Sequence, residues 1–247
     1  MLKPPPISRT QRIVASVFLL LVAAAGGGAA LASRHEHRVV AAPRSYAVPR
    51  RLVVSNARGT VRVVRGAENA VTVARSATYS GDAPGFSVKR AGDELRVRSS
   101  CNATVPGIDI PFLEPCLVTL TLRVPAAIAL RIDSDTGDVE LQGLGGVIST
   151  SLGTGDIRAA DLRASDVTLE SGVGDVTARF RTRPQRVTAS SGTGDVHVAV
   201  PPGTYRINAS TGVGSRSVDG LINDPRSSSV IQAESGVGDV TVEPSDG

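Results

Sequence analysis

The chain has no tryptophan, and Phe and Tyr make up the whole of an aromatic content of only 3%. A compact globule usually leans on aromatic rings for core volume, so Val, Ala, Ile and Leu must fill this interior in narrow layers. The same shortage removes the stacking platforms that nucleic-acid binding uses, and no nucleic-acid partner is expected. Lysine is nearly missing too. Lys3 and Lys89 are the only two, leaving 25 of the 27 basic residues as Arg. With abundant Ala, Gly and Val, this reads as the coding bias of a GC-rich bacterial genome. The net charge of +4 is modest and spread along the chain. Two cysteines are too few for a structural zinc. No stretch after residue 33 holds a helical period.

What is abundant is a phrase built on Gly-x-Gly-Asp. It runs Ser171-Gly172-Val173-Gly174-Asp175-Val176, then Ser191-Gly192-Thr193-Gly194-Asp195-Val196, then Ser235-Gly236-Val237-Gly238-Asp239-Val240. Looser copies end at Asp138 and Asp156, and Gly212-Val213-Gly214-Ser215 keeps the glycines without the acid. The steps are 18, 19, 20, 20 and 24 residues, a period that points to a solenoid or array. Eight residues before each Asp, or Ser215, stand Leu130, Ile148, Val167, Val187, Ile207 and Ile231. Three residues after stand Leu141, Ala159, Ala178, Val198, Val218 and Val242. These are period-two positions on short strands flanking a turn. Arg158, Thr168, Thr177, Thr188 and His197 fall at the alternate, outward positions.

The fold expected is therefore all-β, a β-solenoid or β-helix-like repeat domain over 52–247, with regular coils from about 130. Leu52–Val63 reads as a worn first copy, with Thr60 in place of the Asp. The turn glycines are Gly137, Gly155, Gly174, Gly194, Gly214 and Gly238, where the chain must reverse without a Cβ penalty. Asp after Gly can accept hydrogen bonds from turn amides. The non-repeating strands over 71–99 are expected to cap one end. Val242-Glu243-Pro244 is expected to close the other, where Pro blocks further pairing.

Upstream, Ile13 to Ala32 carries no charge and follows Lys3, Arg9 and Arg12. Twenty residues of helix span about 30 Å, enough for a bilayer core, and the basic flank keeps the amino terminus in the cytoplasm. Ala30-Leu31-Ala32 also reads as a signal-peptidase site. Residues 1–32 are thus either a single-pass membrane anchor or a cleaved signal, and both put the remainder outside the cytoplasm. Residues 33–51 read as a linker, His35-Glu36-His37 included. In that compartment Cys101 and Cys116 are expected to form a disulfide closing a loop that contains Pro106, Gly107, Pro111 and Pro115.

The chemistry on offer is sparse. Stacked coils would align Asp138, Asp156, Asp175 and Asp195 in a column, a weak calcium candidate, with Ser215 interrupting it before Asp239. The expectation is turn-forming Asp with no metal and no cofactor. General acid–base catalysis needs two carboxylates in unlike environments, which a column of equivalent Asp does not supply. His197 has no evident partner, and the Ser-rich turns lack a His and acid in triad order. The Gly-x-Gly phrases enter strands and lack Lys, so they make no nucleotide cradle. No catalytic residue is assigned.

The opening strand-turn-strand Leu52–Val63, the strand Leu120-Thr121-Leu122-Arg123-Val124-Pro125 leading to Leu130-Arg131-Ile132, and the Gly-Asp-Val ladder from Gly137 to Val240 together resemble the bacterial putative-adhesin β-repeat family. The resemblance covers about residues 50 to 245. It implies a β-solenoid outside the membrane, linked to surface attachment or envelope stress, and brings no catalytic residues. The function expected is a non-catalytic structural, adhesive or partner-binding module at the cell envelope. The alternatives are a carbohydrate-active β-helix enzyme and an envelope-stress sensor. An envelope or cell-surface partner would find Ile108–Phe112 or Leu221–Arg226 the best placed irregular patches.

Overall fold

The structure is a computed structural model that describes residues 36–101 and 116–245. The predicted span over 13–32 and the loop residues Ile108–Phe112 lie outside these. Every regular element among the described residues is a β-strand.

The strands form eight coils. Each coil sends one strand through a first sheet, turns, and returns through a second. In chain order the coils are Arg51–Arg58 with Val61–Arg65, Glu94–Ser100 with Cys116–Val124, Ala129–Thr136 with Val139–Gln142, and Gly145–Thr154 with the start of Ile157–Val173. The rest of Ile157–Val173 pairs with Val176–Phe180 as the fifth coil. Then follow Arg186–Thr193 with Val196–Val200, Thr204–Val213 with Arg216–Val218, and Val230–Val237 with Val240–Pro244. Neighbouring coils are joined by parallel ladders in matched register. Val187 faces Ile231, for example, and Ala189 faces Ala233.

The apolar rows explain the stack. Leu130, Ile148, Val167, Val187 and Ile231 are at most 3% exposed, and Val139, Ile157, Val176, Val196 and Val240 at most 1%. Both rows point between the two sheets because alternate residues of a strand share a face. Phe180 and Tyr205, the two aromatics fully buried there, fill corners of the later coils.

The order of the coils in space is not their order in the chain. Coil two lies outside coil one, since Arg51–Arg58 pairs with Glu94–Ser100 on one side and Ala129–Thr136 on the other. Coil eight slides between six and seven, as Val230–Val237 is flanked by Arg186–Thr193 and Thr204–Val213. The stack therefore reads 2-1-3-4-5-6-8-7. This corrects the expectation that Val242-Glu243-Pro244 closes the array: Val240–Pro244 is an interior strand, paired with both Val196–Val200 and Arg216–Val218.

Coil seven makes the end instead, and its edge is covered. Asn223 uses its side-chain amide as a short mimic of a strand, accepting from Ile207 N–H (3.0 Å) and donating to Ile207 O (3.2 Å). Asp224 N–H donates to Tyr205 O at 2.8 Å. The insertion 221–226 is thus a cover for an open strand edge, which otherwise invites pairing with another chain. Arg183 fastens it: the guanidinium donates to Ser229 Oγ (2.9 Å) and to Thr204 O, and lies 4.8 Å over the Tyr205 ring.

At the other end Val71–Tyr79 and Gly85–Ala91 run antiparallel to coil two and form the cap. Of the expected capping region, Glu94–Ser100 belongs to a coil. The linker expectation also needs correction. His37–Tyr46 is a strand, antiparallel to Val71–Tyr79, and the His37 ring stacks on Tyr79. It lacks apolar alternation because it is held at an edge by its backbone and buries almost no side chain.

Candidate functional site

The Gly-x-Gly-Asp turns lie one above another along one corner of the stack. Six of the turn glycines, Gly137, Gly155, Gly174, Gly194, Gly214 and Gly238, have φ between 119° and 142°, a region closed to residues with a Cβ. Close stacking adds a second requirement, since each turn glycine sits against the carbonyl of the glycine in the preceding coil.

The carboxylates are consumed within this spine. Asp138 Oδ1 accepts the Asp156 N–H (3.1 Å), Asp156 that of Asp175 (2.9 Å), Asp175 that of Asp195 (2.8 Å), and Asp195 that of Asp239 (2.8 Å). Asp239 then accepts the N–H of Ser215 at 2.7 Å. The column expected from the sequence exists and runs on through Asp239. Ser215 ends it rather than interrupting it. A terminal coil has no successor whose amide needs an acceptor, so the one copy without Asp is the copy with nothing stacked beyond it.

A parallel ladder of hydroxyls was not anticipated. Ser171 Oγ donates to Gly155 O (2.9 Å), Ser191 to Gly174 O (2.7 Å), Ser235 to Gly194 O (2.8 Å), and Thr211 Oγ1 to Gly238 O (2.7 Å). The recurring Ser or Thr four residues before the Asp was the available signal. In coil one Asn56 Nδ2 donates to Gly59 O at 2.8 Å, and the buried hydroxyl of Ser134, in the adjoining coil three, has no partner among the described residues.

Stacked carboxylates about 5 Å apart repel by about 1 kcal/mol in water-like surroundings, and each amide bond to a charged acceptor returns about 1.5–3 kcal/mol. Asp175→Ala should therefore lower unfolding free energy by about 1–2 kcal/mol, while Asp175→Asn, which keeps the acceptor and removes like-charge neighbours, should stay within about 0.5 kcal/mol of the parent. Thermal unfolding of both variants checks the order. Among the described residues no group of three or more His, Cys, Asp or Glu is arranged to hold a metal. The second oxygen of Asp156 is taken up by Arg158 at 2.6 Å.

His197 does have a partner. Its Nε2 lies 2.9 Å from Glu243 Oε1, a neighbour only because coil eight lies beside coil six. Cys101 and Cys116 are bonded, with Cα atoms 5.9 Å apart. They join the strands of coil two where other coils use the glycine turn.

Outside the spine, the polar concentration is on the outer face of the second sheet. Arg62 donates through Nε to Glu140 at 2.6 Å, a bond that raises the Arg62 pKa further above its ordinary value. Arg158 and Arg123 project nearby, and around the next corner Arg181 binds Asp161 at 2.8 Å. Asp161 has φ 55°, unusual for a non-glycine residue. One coil earlier the matching corner residue is Gly143, with φ 69°.

A wound parallel stack with a glycine corner, two apolar inner faces and capped ends defines a β-solenoid-like repeat protein. The family described as Toastrack DUF4097 matches residues 120–243, and the chain belongs to that family. Among solved structures it is similar to a putative cell adhesion protein from Clostridium sporogenes, with 16% identity and a TM-score of 0.44 over 85% of this chain and 99% of that one. It is also similar to a putative adhesin from Bacteroides fragilis, with 15% identity and a TM-score of 0.37 over 85% and 98%. No curated protein matches the sequence.

Proposed function

We propose that the chain is a non-catalytic β-repeat module with a structural, adhesive or partner-binding role outside the cytoplasmic membrane of a bacterium. Residues 13–32 serve as its single-pass anchor, or as a signal removed on export. The observation that carries this reading is the spending of the repeat carboxylates. Each accepts the amide of the next coil, so the row of acids is a spine, and the outer faces of the sheets are left for contact. Family membership and the disulfide, a bond of oxidising compartments, support the same placement. Fusing alkaline phosphatase after residue 247 tests it: the enzyme should be active in whole cells, and a fluorescent protein that folds only in the cytoplasm should be dark at the same junction. The opposite pattern would refute the placement. Cells lacking residues 37–247 should lose attachment that the full chain restores; unchanged attachment would refute the adhesive role.

A further inference from the structure

Two adjoining depressions on the outer face of the second sheet and its corner, about 600 Å³ and 270 Å³, share Val64 and Gln142 and make one groove. Arg62, Arg123 and Arg158 line the first part, Arg65, Arg163 and Arg181 the second. Among the described residues only two of the lining are acidic, Glu140 and Asp161, and each already holds an arginine. Arg65 pairs with Glu68 and Arg158 with Asp156. Arg123 and Arg163 are exposed, and their guanidinium groups make no hydrogen bond or ion pair among the described residues.

We propose that this groove binds an extended polyol phosphodiester polymer, an inference that rests on the envelope placement above. Guanidinium groups present paired N–H donors that match phosphate oxygens bidentately. Arg123 stands on coil two and Arg163 follows coil four, three strand steps away in the order 2-1-3-4, or about 14 Å at the sheet spacing. One small anion cannot reach both, whereas a chain carrying an anion in each repeat can. Among the described residues the lining has no aromatic ring. That disfavours a nucleic acid, which would bring bases to stack, and a polyuronate, whose sugar rings want an aromatic platform. Binding is left to charge, the term a phosphodiester chain supplies. Asp161, a carboxylate standing where the neighbouring coil uses glycine, neutralises Arg181 and so limits the positive charge that part of the groove presents.

The test is titration of the full-length protein with poly(glycerol phosphate) at 50 and 200 mM salt. Binding is expected at 50 mM, with a steep loss at 200 mM as counterions compete. Arg123→Ala/Arg163→Ala should weaken it at least tenfold and shallow the salt dependence by about one to two counterions, with an unchanged circular dichroism spectrum. Asp161→Gly, which frees Arg181 and suits the local φ, should tighten it severalfold. Arg96→Ala/Arg131→Ala, on the other sheet, should leave it unchanged. No binding at 50 mM, unchanged affinity in the groove double variant, or equal binding of polygalacturonate or single-stranded DNA would each overturn the assignment. These failures are separate from that of the envelope placement, which the reporter fusions decide without any polymer.

Discussion

Gly174→Ala is expected to unfold the domain or to cost at least about 3–5 kcal/mol. Two terms add. The φ of Gly174 is 134°, a region essentially reserved for glycine, where a side chain costs about 1–3 kcal/mol. The added Cβ would also land on the preceding turn, 2.5 Å from the carbonyl carbon of Gly155 and 3.0 Å from Asp156 Oδ1. Those atoms belong to the backbone and to the carboxylate that accepts the Asp175 amide, so relief means parting two coils and losing ladder bonds on both sides. Overpacking of rigid surroundings adds about 1–3 kcal/mol. Against a typical total of about 5–15 kcal/mol, the sum is decisive. Gly92→Asn is the control: its φ is 58° and a Cβ there meets nothing within 4 Å, so chemical denaturation should place it within about 1 kcal/mol of the parent.

Replacing both Cys101 and Cys116 with serine is expected to cost about 3 kcal/mol. The bond closes a loop of sequence separation 15, and the chain-entropy estimate for that length is about 3 kcal/mol. Its location matters as much. Glu94–Ser100 and Cys116–Val124 form a coil in which a long excursion replaces the tight glycine turn, and the bridge fastens the base of that excursion. Without it, the coil nearest the cap has no short tether between its two sheets. Denaturant titration of the Cys101→Ser/Cys116→Ser variant should show a lower midpoint, and hydrogen exchange should rise first in Cys116–Val124 and the Val71–Tyr79 strand packed on it. Unchanged exchange there would mean the loop is held by other contacts.

Much of the fold was legible because a coil writes its own inner face. Leu130, Ile148, Val167 and Val187 recur at one offset from the turn and Val139, Ile157, Val176 and Val196 at another, and both rows are buried. The turn and its hydrogen-bonding Asp were legible for the same local reason. Coil order was not, because the rows are nearly interchangeable. Val187 accepts Ile231 as readily as Ile207, so the inner face does not name its neighbour. The clues lay in the irregularities: Ser215 without a carboxylate, and the longer connection through Asn223-Asp224-Pro225. The groove was hidden more completely. Arg62, Arg123 and Arg163 are far apart in the chain, and only the outward placement of coil two brings Arg123 beside Val64. His37–Tyr46 escaped because an edge strand held by its backbone leaves no apolar pattern to read.

The central claim is the 2-1-3-4-5-6-8-7 order, since the carboxylate spine, the terminal role of Ser215 and the groove all depend on adjacency in space. Paired cysteines test it directly. Ser190 faces Glu234, and Glu234 faces Ser210, all on the outer side of the first sheet. Adjacent strands put partners about 4.8 Å apart and alternate strands about 10 Å apart, while a disulfide needs Cα atoms within about 4.4–6.8 Å. Under mild oxidation, with the bonds mapped by peptide mass spectrometry, Ser190→Cys/Glu234→Cys should cross-link and Ser190→Cys/Ser210→Cys should not. Efficient bonding of the second pair and none of the first would mean that the coils stack in chain order, and would contradict the account.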